Sequence, residues 1–251
     1  MIFITVNIIC VLLIISVHEY GHMFFARKYG IIPTNFSIGL GPELFGFNNN
    51  GTRFSLRPFP FGGYVKFPQV DKSLVSLTKA QRIKVYLGGP LWNLILCNVA
   101  AVVAVSIGIM PEQMRELPLL IAFAVAVVGT TILFIIAVPF TLYVIFGLLL
   151  NPADNIDKVS GPIGVFSGSA VPESTLIDFG YTGQACIMIW MISMAIGSFN
   201  LLPLSILDGG HIFKEFFPED SRFIKAWGKV TGALLIAIIA YVIIADIVRV
   251  F

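Results

Sequence analysis

His18-Glu19-Tyr20-Gly21-His22 reads HExxH. On a helix, positions i and i+4 share a face, so both imidazoles reach one metal ion. Glu19, one step round, reaches a water held by that ion. Zinc lowers the pKa of such a water toward about 7 and polarises a carbonyl. A carboxylate then accepts the proton and returns it to the leaving amine. The spacing points to metal-assisted hydrolysis, with His18 and His22 as ligands and Glu19 as general base. In a soluble helix the same letters can be a solvated face. Here they end an apolar run, where ionisable groups are costly and usually functional.

Catalytic zinc usually takes three protein ligands and a water. A third histidine in the pattern HExxHxxGxxH is excluded, because Phe25 and Lys28 hold the glycine and histidine positions. The next acid, Glu43, lies beyond Pro33 and Gly39. The remaining cluster runs from Asn200 to His211, NLLPLSILDGGH. Asp208 ends an apolar run on the same expected side as His18 and His22. A carboxylate there is expensive unless paired or metal-bound, which makes it the expected third ligand. Two other readings stay open: Asp208 caps the helix that follows, or His211 is the ligand.

The elements that must carry these groups are membrane spans. Of 251 residues, 57% are hydrophobic and only 12% charged, with mean hydropathy +0.91. Soluble domains carry about 25% charged residues, and a disordered chain needs more polarity still. The fold class expected is an all-α polytopic membrane protein, a bundle of 4–6 transmembrane helices with a membrane-embedded β-hairpin or loop. Net charge is +2 with scattered basic residues, so nothing suggests nucleic-acid binding; the bilayer itself is the expected surrounding. Cys10, Cys97 and Cys186 each lie in an apolar run without a CxxC pair, and read as small packing residues. The first apolar stretch lacks a basic n-region and a cleavage site and leads straight into HExxH, so it reads as a retained span.

Spans are expected at about 2–29, 85–110, 179–207 and 230–248, all within one domain, 1–251. The apolar region 117–153 is too long for a straight crossing, about 55 Å against a core of about 30 Å. Pro139 suggests a broken helix or a hairpin there. Thirteen of the sixteen Lys and Arg residues lie at the inner end of the first span, between the first two spans or between the last two, which places those segments in the cytoplasm. That arrangement needs 117–153 to cross an even number of times, either as a hairpin or not at all. Residues 35–67 are rich in Gly, Pro and Phe. Asn50-Gly51 between two apolar stretches signals a hairpin, and so aromatic a loop fits β-structure dipping into the membrane beside a cavity.

Taken together, these motifs resemble the site-2 protease family of intramembrane zinc metalloproteases, its RseP-like branch. The resemblance is carried by HEYGH on the first span, Asn200-x-x-Pro203 and LDGGH after an apolar run. Phe36-Ser-Ile-Gly-Leu-Gly-Pro42, Pro60-Phe-Gly-Gly-Tyr-Val-Lys66, Gly89-Pro-Leu-Trp-Asn93 and Ser160-Gly-Pro-Ile163 add to it. It implies a multi-pass protein of the bacterial inner membrane that cleaves transmembrane segments of single-span membrane proteins, either in regulated intramembrane proteolysis or in removal of signal-peptide remnants. It also implies Zn2+ held by His18, His22 and Asp208, Glu19 as base, and Asn200 near the substrate or oxyanion. One departure stands out: relatives of that branch carry PDZ domains before the SGPI element, and the interval Pro111 to Val159 is too short and too apolar for one.

A substrate helix must unwind to expose a carbonyl, and freed backbone groups need partners in a dry setting. A β-edge within Phe54–Phe67 can supply them by strand addition. Asn200 and Asn93 are candidates to hold the unwound carbonyl or developing oxyanion; Asn93 could equally be helix–helix glue. Gly88-Gly89-Pro90 reads as a helix start. Two other classes compete with the enzyme: a zinc transporter, separable by metal flux, and a catalytically inactive protein that binds membrane helices, separable by zinc content and activity.

Overall fold

The computed structural model describes residues 2–69, 73–150, 173–218 and 221–250. The Ser160–Ile163 element and the Asp154–Lys158 segment lie outside them. Among the described residues, five helices are long and apolar enough to cross a membrane, as expected of a polytopic membrane protein. They belong to α1 (Ile2–Lys28), α2 (Lys79–Ser106), α4 (Leu119–Leu150), α5 (Glu173–Asn200) and α7 (Arg222–Val250). Two short helices accompany them, α3 (Glu112–Arg115) and α6 (Asp208–Lys214).

The chain groups into two compact units, one drawing on Met1–Cys10, Leu94–Phe199 and Leu235–Phe251, the other on Val11–Asn93 and Asn200–Leu234. In the first, polar side chains tie apolar helices together. Gln184 donates to Asn7 at 2.5 Å, and Trp190 Nε1 donates to Thr130 at 3.1 Å. Such bonds fix helix partners where lipid supplies no hydrophobic contrast. The three cysteines are free and buried.

Within region 117–153, the described residues Leu119–Leu150 do not form a hairpin. They make one 32-residue helix that continues through Pro139. Of the two ways this region could cross an even number of times, the single helix leaves the one in which it does not cross. The physical reason is the hydrocarbon setting: opening the backbone there exposes groups with no water to pair them. Next to the proline, Thr141 Oγ1 donates to the Ala137 carbonyl at 2.7 Å.

The second unit carries all the candidate chemistry. Helix α2 begins earlier than expected, at Lys79, because Thr78 and Gln81 form a reciprocal capping box: Thr78 N–H donates to Gln81 Oε1 at 2.9 Å and Gln81 N–H to Thr78 Oγ1 at 3.3 Å. Gly88-Gly89-Pro90 is thus in the helix interior and starts nothing. Helix α5 stops at Asn200, before the expected Leu207, since Pro203 disfavours helical backbone at Leu202.

The aromatic segment is a four-stranded sheet made of β1 (Asn35–Leu40), β2 (Phe45–Asn49), β3 (Thr52–Leu56) and β4 (Phe59–Lys66). Its order is β2-β3-β1-β4. The expected hairpin is present: β2 and β3 pair antiparallel with Asn49 opposite Thr52. The two turn residues both have positive φ, Asn50 at 46° and Gly51 at 78°, the backbone that a tight two-residue hairpin turn requires. β1 pairs parallel with β3 and antiparallel with β4. Of the Phe54–Phe67 stretch, β3 is therefore interior and only β4 offers a free edge. Phe45, Phe47 and Phe59 stay 50–65% exposed, an apolar surface suited to lipid rather than water. Thr52 anchors the sheet to α1, accepting from Arg27 at 2.9 Å and donating to the Pro33 carbonyl at 2.7 Å.

The turn gives a local stability test. Gly51→Ala places a side chain at φ +78° and 3.2 Å from Ile32 Cγ2. We expect it to cost about 1–2 kcal/mol, read as a lower thermal midpoint with metal content unchanged.

Candidate metal centre

His18 and His22 lie on one face of α1, as the four-residue spacing dictates, and both are buried. Asp208, the first residue of α6, meets them. Its Oδ2 lies 3.3 Å from His18 Nε2 and 3.3 Å from His22 Nε2, and the two Nε2 atoms are 3.3 Å apart. The expected His18, His22 and Asp208 set is the cluster of potential metal ligands found among the described residues.

The triangle tests the fit to a metal. Ligand atoms at about 2.0–2.1 Å in a tetrahedron stand about 3.3–3.4 Å from one another, which is the spacing seen. The donor chemistry agrees. His22 Nδ1 is 2.8 Å from the Val85 carbonyl; a carbonyl only accepts, so Nδ1 carries the proton and Nε2 presents a lone pair. Asp208 Oδ2 is buried and, among the described residues, has no hydrogen-bond donor of its own. Lone pairs converging in a buried place repel unless a cation lies between them.

The residue flanking the start of α6 is Leu207, with no side-chain cap, so Asp208 is not serving as a helix cap. His211 is not in that cluster of potential ligands and stacks on Tyr86, ring centroids 5.1 Å apart and 19° from coplanar. Burial, followed by the Lys214 ammonium, pushes its imidazole below the usual value.

The loop geometry explains why two glycines follow Asp208. A Cβ at Gly209 would strike the Leu201 carbonyl, and one at Gly210 the Leu204 carbonyl. Only glycine lets the first turn of α6 nest on the segment entered through Asn200 and Pro203. Asn200 thus sits at the head of the loop that delivers Asp208.

Glu19 lies beside the triangle on α1. The Val65 backbone amide of β4 hydrogen-bonds its carboxylate, and a Cβ on Gly63 would come 3.1 Å from its Cγ. The edge strand β4 therefore runs along the general-base candidate. Asn93, on α2, is fully buried, and among the described residues neither its Nδ2 nor its Oδ1 has a hydrogen-bond partner. No bond supports a helix–helix glue role.

One contributor went unrecognised as part of the site. A Cβ on Gly89 would overlap His22 Nε2 and lie 2.6 Å from His18 Nε2. Gly89 is one helical turn before Asn93, and its missing side chain is the space in which the imidazoles stand. Next to it, Gly88 and Gly21 touch through their backbones, a Cβ on either one clashing with the other's carbonyl. The signal was in the sequence: paired glycines inside an apolar run allow two helices to approach closely.

The family model of peptidase family M50 matches residues 6–243. The chain belongs to that family, the site-2 proteases. It is 37% identical over 70 residues to zinc metalloprotease RasP of Oceanobacillus iheyensis, a match covering 28% of this chain and 16% of that protein. With zinc metalloprotease RasP of Shouchella clausii it shares 49% over 53 residues, 21% of this chain and 13% of the relative. The matched stretches are thus less than a fifth of either relative's length.

Proposed function

We propose that this chain is a zinc-dependent intramembrane endopeptidase, placed in the bacterial cytoplasmic membrane, that hydrolyses a peptide bond within the transmembrane segment of single-span membrane proteins. The observation that carries the reading is the 3.3 Å triangle of His18, His22 and Asp208 with Glu19 beside it, borne by a chain with five apolar helices. The family, and the name zinc metalloprotease carried by the two relatives, point the same way.

His18, His22 and Asp208 hold the ion. Bound zinc supplies an acidified water and a Lewis acid for the scissile carbonyl. Glu19 accepts the proton from the attacking water and delivers it to the departing amine. The Val65 amide keeps the Glu19 carboxylate turned to that task. β4, an edge strand, pairs with the unwound substrate, exchanging the substrate's lost helical hydrogen bonds for strand bonds. Asn93, whose amide has no partner among the described residues, and Asn200 provide donors for the substrate carbonyl.

The experiment is cleavage of single-span substrates by the purified chain in lipid. Chelation should abolish product and zinc should restore it. Undiminished cleavage after complete metal removal would sink the reading, as would zinc uptake into sealed vesicles without any cleavage.

A further inference from the structure

The metal triangle is assembled from two segments far apart in sequence, and α6 is too short to hold itself. A helix of seven residues is unstable alone, because nucleation outweighs the few bonds it forms. Its first turn rests on Leu201 and Leu204. Its far end is gripped from α2. Arg82 makes a two-pronged ion pair with Glu215, Nε to Oε1 at 2.8 Å and Nη2 to Oε2 at 2.6 Å. Both side chains are largely shielded, with 23% and 13% exposure. Arg82 is itself steadied by donating Nη1 to the Leu77 carbonyl at 2.7 Å. One turn on, Tyr86 stacks on His211.

Positions 82, 86 and 89 fall on one face of α2, at i, i+4 and i+7. Arg82 and Tyr86 hold α6 by its end and its middle. Gly89 admits the imidazoles. One helical stripe therefore sets the distance between the carboxylate on α6 and the histidines on α1.

We propose that the Arg82–Glu215 pair is a positioning clamp for Asp208: it fixes α6 so that the third ligand closes the metal site, without touching metal or substrate. A fork-to-fork pair suits this because it restricts angle as well as distance. The inference rests on the reading of the triangle as a metal site.

Metal affinity of the full chain in lipid nanodiscs, measured by competition with a chromophoric zinc chelator, tests it apart from proteolysis. Arg82→Gln should weaken zinc binding about 10–100-fold, the range for residues that orient ligands, while the charge swap Arg82→Glu with Glu215→Arg should recover most of the loss. A purely structural role predicts something else, a lower melting temperature of the zinc-free protein with zinc affinity intact, and that result overturns the clamp. Should Arg82→Gln fail to fold, Arg82→Lys keeps the charge but loses the fork, and Glu215→Asp keeps the charge but draws the carboxylate back by one methylene. Weaker zinc binding in both supports the clamp, and parental affinity in both overturns it. A parent that binds zinc but cleaves nothing sinks the proteolytic reading and leaves this one standing; a parent that binds no zinc overturns both.

Discussion

Glu19→Gln should retain the parental metal content and lose peptide hydrolysis by about 10²–10⁴-fold, equivalent to roughly 3–5 kcal/mol of barrier. The substitution is nearly isosteric. Glutamine keeps an oxygen to accept from the Val65 amide, so β4 and α1 stay together. His18, His22 and Asp208 make the triangle without it. What disappears is the ability to take a proton from water and give it to the leaving amine. Substrate affinity should change little, so the loss belongs in kcat. Metal analysis and single-turnover cleavage on one preparation check both halves. A Glu19→Gln protein that cleaves at the parental rate removes the general base from the mechanism, and one that has lost its metal moves Glu19 into the ligand set.

Parts of this centre could be read directly from the chain because they are local. The four-residue interval between His18 and His22 fixes their common face wherever the helix goes. Asn50-Gly51 forces a tight hairpin because the turn itself demands positive φ. Asp208 was legible for a different reason: a carboxylate at the end of an apolar run has few tolerable surroundings, and a metal is one of them. The strand order was not legible. β1 pairs with β3 and β4 across intervening turns, and such partners are chosen by packing that no short window contains. Hence the candidate edge, placed broadly in Phe54–Phe67, narrows to β4.

Region 117–153 shows a rule carried too far. Proline breaks helices in water, where the freed carbonyl finds a solvent partner. In a segment as apolar as Leu119–Leu150 no such partner exists, and the helix runs on through Pro139. The same kind of misreading affected Gly88-Gly89-Pro90. Glycine and proline together look like punctuation, but here the glycines are present for the room they leave, and a residue whose contribution is an absent side chain carries little signal of its chemical role. Arg82 and Glu215 were similarly silent, since a basic residue at a span's start reads as an orientation signal until its partner is seen.

The contrast between the two neighbouring glycines gives the sharper experiment. Gly89→Ala should reduce zinc affinity by at least about 100-fold, the scale attached to a displacement of about 1 Å at a reacting centre. The new methyl group would occupy the place of His22 Nε2 and crowd His18 Nε2, so the imidazoles must turn off the common point. Alanine is also the better helix former by about 1 kcal/mol, so the zinc-free protein should melt no lower than the parent. Gly88→Ala should behave in the opposite way. Its methyl group meets the Gly21 carbonyl, backbone that cannot rotate aside, so α1 and α2 must separate and the melting temperature should fall with or without zinc. Melting curves with chelator and with zinc, run on both variants, separate a residue that makes room for ligands from one that makes room for a helix. If Gly89→Ala binds zinc as tightly as the parent, the ion does not sit where the three donor atoms converge.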